Sequence, residues 1–284
     1  MVSDSKTTSA EVRQTVHSVS DSAWFEHAVR VGLVAYGLIH ILVGWLALQL
    51  AFGDRAGSPS SEGALHVLAQ QPGGALLLWA VGLGLLVLAG WQLMEALWGH
   101  TSETGHTRTF KRLGSVGTAI VYIVLGGSAI KTAVAGPSSS NEDSYTRKLL
   151  ELPAGQLIVI GVGVVIAIVA VVNLYRGATA SFDDQLKSGT LSGRSGTIVQ
   201  PLGQIGYVAK GIALGVVGGL FMWAGWTYDP KEAGGLDTAL RTLLDAPAGP
   251  WLLVVVAGGI IVFGIYCFAW AKYADTSKIG RAHV

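Results

Sequence analysis

Residues 201–220 read PLGQIGYVAKGIALGVVGGL, an apolar run with glycine at regular intervals. Small or aromatic residues recur at every fourth position, which places them along one face of a helix. They are Gly203, Tyr207, Gly211, Gly215 and Gly219. Each interior glycine costs a helix in water about 0.5–1 kcal/mol relative to alanine, whereas in a bilayer small residues let helix backbones approach closely. The run therefore indicates a transmembrane helix with a glycine packing face and one charge, Lys210, in its middle.

The composition of the chain is that of a membrane protein. Of its 284 residues, 51% are hydrophobic and 13% are charged, against about 25% charged in a typical soluble domain. The net charge of +1 argues against a nucleic-acid partner, which would need a concentrated basic face. The single cysteine, Cys267, excludes an internal disulfide and a multi-cysteine metal centre. We therefore expect contact with the lipid bilayer and no metal or cofactor.

Six apolar runs are each long enough to cross a bilayer, which takes about 20 helical residues. They lie at 31–52, 75–98, 113–135, 155–176, 202–224 and 250–271. Helices are expected because the runs lack the alternation of a membrane barrel. Lys and Arg are concentrated in the termini and in the loops near 99–112 and 177–201, whereas the opposite loops are acidic. We predict a plasma-membrane protein with cytoplasmic termini, and a polar cytoplasmic tail at 1–28.

Internal repetition appears when three segments of equal length are aligned. They are 30–44 (RVGLVAYGLIHILVG), 112–126 (RLGSVGTAIVYIVLG) and 201–215 (PLGQIGYVAKGIALG). The alignment superimposes two sets of glycines, namely Gly32 with Gly114 and Gly203, and Gly44 with Gly126 and Gly215. The partner helices each follow a proline, at Pro72, Pro153 and Pro247. The glycines at these shared positions, with Gly211 and Gly219, are predicted to pack helices together.

The repeats predict an all-α membrane protein of three tandem two-helix hairpins, at 29–105, 106–180 and 196–276. Each hairpin crosses twice, so all three have the same orientation and a pseudo-threefold axis along the membrane normal is expected. A side-by-side row of hairpins also fits the repeat. The outer loops are predicted to form short amphipathic helices that lie at the interface or cap the bundle. These helices are expected at 60–71, 144–152 and 235–246.

In several short motifs of its repeats, the chain resembles the family of membrane proteins known as domain of unknown function 1206. The motifs are R-x-G before the first helix, A-L-x-x-L before P-x-G, and L-L-x-W. They stand at 30–32, at 64–68 and 239–243, and at 76–79. The second repeat departs from the pattern, with TRKLLELPAG at 146–155. The resemblance covers about residues 29–273 and implies tandem two-helix repeats, but no activity.

Charged groups inside the predicted spans are candidates for function, since each costs several kcal/mol in a bilayer. Lys210 is the strongest of these candidates, because its repeat equivalents, Ile39 and Val121, are apolar. Either it reaches toward the surface or forms a structural pair, or it serves a ligand or a proton. Glu95, whose repeat equivalent is Arg176, is the expected counter-charge. We predict a pair between Glu95 and Lys210 or between Glu95 and Arg176.

Uncharged polar residues add three further positions to this candidate intramembrane site. Tyr36 is equivalent to Thr118 and Tyr207, His40 to Tyr122, and Gln92 to Asn173 and Cys267. Such side chains commonly form hydrogen bonds between helices, worth about 1 kcal/mol each. We predict this role for His40, and a polar lining on the inner side is the alternative.

Motifs of soluble catalysis are missing from the sequence. It contains no G-x-x-x-x-G-K, no H-E-x-x-H and no G-x-S-x-G. We therefore expect no catalytic residues and a non-enzymatic accessory or scaffold protein that packs with itself or with a membrane complex. The alternative is a transporter or channel for protons or for a small or lipidic solute. Its path would use Tyr36, His40, Glu95 and Lys210.

Overall fold

The computed structural model describes residues 23–53, 57–98, 105–136, 154–182, 186, 190, 196–229 and 235–274. Within these residues the chain forms eight α-helices. They are α1 (Ala23–Ala51), α2 (Ser61–Ala69), α3 (Gly74–Trp98), α4 (Gly105–Ala135), α5 (Gly155–Thr179), α6 (Gly196–Thr227), α7 (Leu236–Leu244) and α8 (Gly249–Tyr273). Leu186 and Ala274 add an isolated antiparallel bridge.

The six long helices confirm the predicted transmembrane spans. Each contains a window with a mean hydropathy between 1.7 and 3.0, long and apolar enough to cross a bilayer. Three helices, α1, α4 and α6, begin six or more residues earlier than predicted. The first turns of α1 overlap the predicted tail at 1–28, because residues 23–28 contain no glycine or proline and continue the helix. Pro201 lies in the second turn of α6 and does not end that helix.

The short helices α2 and α7 confirm two of the three predicted outer helices, and the third, at 144–152, lies outside the described residues. Ser60 caps α2, where its Oγ accepts a hydrogen bond from the Gly63 amide at 3.1 Å. Both helices bury an apolar face on the bundle, through Leu65 in α2 and Leu240 in α7. They therefore cap the bundle at the end opposite the first residues of α1, α4 and α6.

The order of the helices follows the repeats. The most extensive contacts join the second helix of one repeat to the first helix of the next, in the pairs α3–α4, α5–α6 and α8–α1. Within repeats, α1 packs on α3 and α6 packs on α8. In the described chain, α4 and α5 make at most marginal contact with each other. The helices thus follow a threefold order, in the sequence α5, α6, α8, α1, α3, α4, and the ring is open within the second repeat.

Glycines at one repeat position set two of the three contacts between consecutive repeats. A Cβ added to Gly44 would lie 2.8 Å from the Ala257 carbonyl oxygen, and one added to Gly126 would lie 3.0 Å from that of Gly82. The third glycine, Gly215, is exposed and only borders its contact, with Ala170 Cβ at 3.9 Å. Glycine therefore sets how closely α1 approaches α8 and α4 approaches α3, but not how closely α6 approaches α5.

Other predicted packing glycines divide into two groups. A Cβ would overlap the Gly84 carbonyl at Gly32 and the Phe182 ring at Gly203, and at Gly211 it would lie 2.7 Å from Leu174. At Gly114 and Gly219, by contrast, an added Cβ would meet nothing else in the described chain within 4 Å. Within the described chain the two glycines therefore set no helix contact. Gly114 is exposed on α4, which stands away from α5 there, and Gly219 is half-buried on α6.

Candidate functional site

Lys210, on α6, lies against aromatic side chains of two other helices. Its Nζ donates a hydrogen bond to the Tyr36 hydroxyl of α1 at 2.6 Å. The same atom lies 4.5 Å from the centroid of the Phe263 ring on α8 and 5.1 Å from that of Tyr36. Aromatic faces attract a cation most strongly where water is excluded. The ammonium group is therefore held by the Tyr36 hydroxyl and by the Phe263 ring.

His40 lies one turn further along α1 and joins this group. Its ring centroid is 4.3 Å from that of Tyr36 and 4.9 Å from that of Phe263. His40 Nδ1 is 2.8 Å from the Tyr36 carbonyl oxygen of the same helix. A carbonyl only accepts, so Nδ1 is the donor. The predicted hydrogen bond from His40 to another helix is thus replaced, among the described residues, by one within α1.

Buried aromatic side chains fill the centre of the bundle around this group. Tyr122 of α4 packs edge-on to Tyr36, with ring centroids 5.2 Å apart. Tyr207 lies 5.2 Å from Phe263 and 5.7 Å from Tyr266, also edge-on. Edge-to-face packing of this kind is favourable for aromatic pairs. All five side chains are less than a tenth exposed, so the centre is a packed aromatic core.

The predicted ion pairs of Glu95 do not form among the described side chains. Lys210 donates to Tyr36 and not to a carboxylate. The physical reason is the order of the helices, since Glu95 belongs to α3, which neighbours neither α5 nor α6 in the ring. Arg176 is half-buried on α5, and Glu95 has its interactions elsewhere.

The predicted polar layer of Gln92, Asn173 and Cys267 gives no continuous lining. Asn173 Nδ2 donates to the Val169 carbonyl oxygen of its own helix at 2.7 Å. Cys267 is a fully buried free thiol, and Gln92 is half-buried. The structure therefore brings together Tyr36, His40, Tyr122, Tyr207 and Lys210 from the predicted set, and leaves Gln92, Glu95, Asn173 and Arg176 outside the aromatic core.

Three aromatic residues of this core, Phe263, Tyr266 and Phe182, were not predicted from the sequence. Phe263 lies in an apolar span where nothing marks it out, although it precedes the polar repeat position of Cys267 by one turn. Phe182 falls in a loop expected to lie in the cytoplasm, yet it is fully buried and stacks on Tyr207 with ring centroids 5.4 Å apart. Its partner, Gly203, was the available signal, because a glycine can accommodate a flat ring.

Comparison with known proteins finds one family and one relative. The family model described as Domain of Unknown Function (DUF1206) matches the chain three times, at residues 31–99, 113–180 and 205–274. The chain is also similar to the uncharacterized protein YxxB of Bacillus subtilis (strain 168), with 29% identity over 253 residues, which cover 88% of this chain and 91% of the relative. No solved structure matches significantly.

Proposed function

The chain is a multi-pass membrane protein that belongs to the DUF1206 family, and we propose that it is a non-enzymatic accessory protein that packs with itself or with a membrane complex. The packed aromatic core supports this proposal, because it makes the helices a solid unit around Lys210. A solid unit offers its outer faces for association. The observation that carries the proposal is the unused glycine face of α6.

This α6 face consists of Gly215, Gly219 and Trp223, spaced four residues apart. An added Cβ would meet nothing in the described chain at Gly219 and a single atom, at 3.9 Å, at Gly215. The Trp223 side chain is 55% exposed. Two small residues one turn apart allow a second helix to approach closely, and an adjacent tryptophan supplies contact area. The face therefore suits a transmembrane helix of a partner or of a second copy.

The test is mild detergent extraction followed by measurement of mass and composition. We expect a stoichiometric partner or a homo-oligomer with the wild type, and its loss with Gly219→Ile. Gly161→Ile is the matched control, because Gly161 is an exposed glycine of α5 where a Cβ also meets nothing in the described chain. A lone monomer in several mild detergents, or equal loss with both variants, would overturn the proposal.

We also propose that both termini are cytoplasmic and that the protein resides in the plasma membrane. The excess of Lys and Arg at the termini and in the loops on their side supports this orientation. Labelling with a membrane-impermeant maleimide tests it in whole cells, with single cysteines placed at Ser58 and Ser277 in a Cys267→Ser background. Label at Ser58→Cys alone is the expected result, and label at Ser277→Cys alone would reverse the orientation.

A second candidate function is the transport of protons or of a small solute, favoured by the contact of Lys210 with Tyr36 beside His40. Liposomes reconstituted with wild type, Lys210→Leu and Glu95→Gln test it. Flux above that of empty vesicles, reduced by either variant, would support transport and displace the accessory role. If even the wild type gives no such flux, the transport candidate fails.

A further inference from the structure

The face of α5 that should pack on α4 is exposed. The second helices of the first and third repeats, α3 and α8, bury their residues at three repeat positions. These residues are Val81, Leu88 and Trp91 in α3, and Val256, Phe263 and Tyr266 in α8. The corresponding residues of α5 are Val162, Val169 and Val172, which are 36%, 44% and 43% exposed. The residue types remain apolar, so the difference arises from the absence of a neighbouring helix within the described chain.

The facing side of α4 shows the same difference. Gly117 and Ile120 are exposed, whereas their repeat equivalents in α6, Gly206 and Ala209, are buried against α8. Val121 and Val124 extend the exposed strip, and they correspond to Lys210 and Ala213 of α6. We call these two strips the α4–α5 seam, composed of Gly117, Ile120, Val121 and Val124 with Val162, Val165, Val169 and Val172.

One end of the seam is basic. Arg176 lies one turn beyond Val172 on α5, and Arg108 and Lys111 lie in the first turns of α4, at the same end of the bundle. The neighbouring Arg112 donates to the Leu97 carbonyl oxygen at 2.9 Å and so closes the end of α3. No Asp or Glu occurs on either strip. The seam is thus apolar along its length and positively charged at one end.

The position of Arg176 brings it toward the centre of the bundle. Its neighbour, Gly177, packs against α6, where an added Cβ would lie 2.8 Å from the Gln204 carbonyl oxygen and 2.7 Å from Val208. Arg176 therefore lies at the level of Tyr207 and within one turn of Lys210, which is also cationic. Two cations at this depth without a carboxylate partner among the described side chains favour an anion nearby.

Two indole N–H groups lie close to this level. Trp91 and Trp270 are buried, with ring centroids 6.4 Å apart, and their Nε1 atoms have no hydrogen-bond partner in the described chain. Trp270 occupies the repeat position of Arg176, and Trp91 that of Val172. A buried N–H without an acceptor is costly, so an acceptor at this level would stabilise the bundle.

The charge pattern distinguishes two possible occupants of the seam, a second copy of the chain and an anionic phospholipid. Packing α5 of one copy against α4 of another would bring Arg176 toward Arg108 and Lys111, and like charges at such a contact are destabilising. A phospholipid with an anionic headgroup meets both requirements, since acyl chains fill an apolar strip and phosphate pairs with Arg and Lys. Basic pockets between transmembrane helices bind such headgroups.

We propose that the α4–α5 seam is a binding site for an anionic phospholipid, whose acyl chains lie along the valine strips and whose phosphate lies between Arg176 and Lys111. This site lies on a different face from the α6 glycines, so the proposal of lipid binding does not depend on the proposed accessory role. It makes the lipid an integral part of the bundle, which completes the contact that the second repeat lacks.

Native mass spectrometry of the full chain in neutral detergent tests the proposal. Phosphatidylglycerol and phosphatidylcholine with identical acyl chains are added at equal concentration. We expect the phosphatidylglycerol adduct to dominate, and Arg176→Gln with Lys111→Gln to weaken it by roughly tenfold or more while the phosphatidylcholine adduct is unchanged. Lys272→Gln is the matched control, because Lys272 lies in the last turn of α8, away from the seam.

Further variants make each outcome decisive. Arg176→Lys keeps the charge and should restore much of the adduct, which separates lipid binding from a folding defect. Val169→Trp narrows the seam and should reduce adducts of both lipids. Equal adducts of the two lipids, or a loss of adduct that Lys272→Gln reproduces, would overturn the proposal. A dimer that excludes lipid and is broken by Val169→Trp would assign the seam to a second copy instead.

Discussion

Lys210 shows what the sequence can and cannot predict about a single residue. A lysine inside a transmembrane run stands out, since its equivalents Ile39 and Val121 are apolar. The predicted partner was the only glutamate in a span, Glu95, and this was wrong. The observed partner, Tyr36, became available because α8 brings α6 and α1 together. A partner on another helix depends on helix order, and one sequence without coupled positions does not contain that order.

Substitution of Tyr36 and substitution of Lys210 should have opposite effects on the stability of the protein. Tyr36→Phe removes the hydroxyl that accepts from the Lys210 ammonium and should lower the free energy of unfolding by about 1 kcal/mol. Lys210→Met removes a charge that is costly in the membrane and should leave stability unchanged or raise it. Thermal unfolding in one detergent measures both.

The double variant provides the control for this pair. In the Lys210→Met background Tyr36→Phe should cost little, because the hydrogen bond is already gone. Equal losses in both backgrounds would show that Tyr36 acts through its ring packing and not through Lys210. A large loss with Lys210→Met alone would mean that the ammonium itself stabilises the bundle.

At the level of the helix, the glycines divide into those that set a contact and those that do not. Gly264 of α8 faces α1, and an added Cβ would lie 2.6 Å from the Gly37 carbonyl oxygen and 3.0 Å from the Ile41 amide nitrogen. Both are backbone atoms, which cannot move aside without shifting a helix. Gly264→Ala should therefore destabilise the protein by about 1–3 kcal/mol.

The matched control is Gly219→Ala, at an open position of α6. It should be neutral or gain up to about 1 kcal/mol from helix propensity. Thermal unfolding of the two variants side by side measures the difference. If Gly219→Ala is as damaging as Gly264→Ala, the loss comes from the helix itself and not from the approach of its neighbour.

The cap of α2 offers a test at the end of the bundle that α2 and α7 cover. Ser60→Ala removes the Oγ that accepts from the Gly63 amide and should cost about 0.5–2 kcal/mol. Ser60→Asp keeps an acceptor and should retain most of the stability. Thermal unfolding and the rate of proteolysis near residue 60 report the effect. Equal stability of both variants with the wild type would show that α2 is held by Leu65 and its apolar face alone.

The extent to which the elements could be predicted follows from their chemistry. Long apolar runs define the six spans, since only a helix satisfies the backbone in lipid. The outer helices follow from leucine spacing, and α7 was found in this way. Phe182 was missed, because its polar neighbours place it in a loop and its one signal, Gly203, lies on another element. Helix existence is thus encoded locally, whereas contacts between helices are not.

For the whole molecule, the open ring is the main departure from the threefold symmetry that the repeat predicts. The sequence does not foretell it, because the α5 residues at the seam are valines, which suit a buried contact and a lipid-facing surface equally well. Gly114 and Gly117 of α4 likewise preserve the small residues of a helix contact. The second repeat therefore keeps the apolar character of a closed hairpin without its contact.

Cysteine cross-linking distinguishes an open seam from a closed one. The reference pair is Ala170→Cys with Gly215→Cys, which joins α5 to α6, since a Cβ at Gly215 lies 3.9 Å from Ala170 Cβ. In a Cys267→Ser background this pair should form a disulfide within the chain, because that separation suits a disulfide. The pair across the seam, Gly117→Cys with Val169→Cys, should remain as free thiols that react with a lipid-soluble maleimide. An intramolecular disulfide as efficient as that of the reference pair would mean that α4 and α5 close on each other, and the seam would then have no room for lipid.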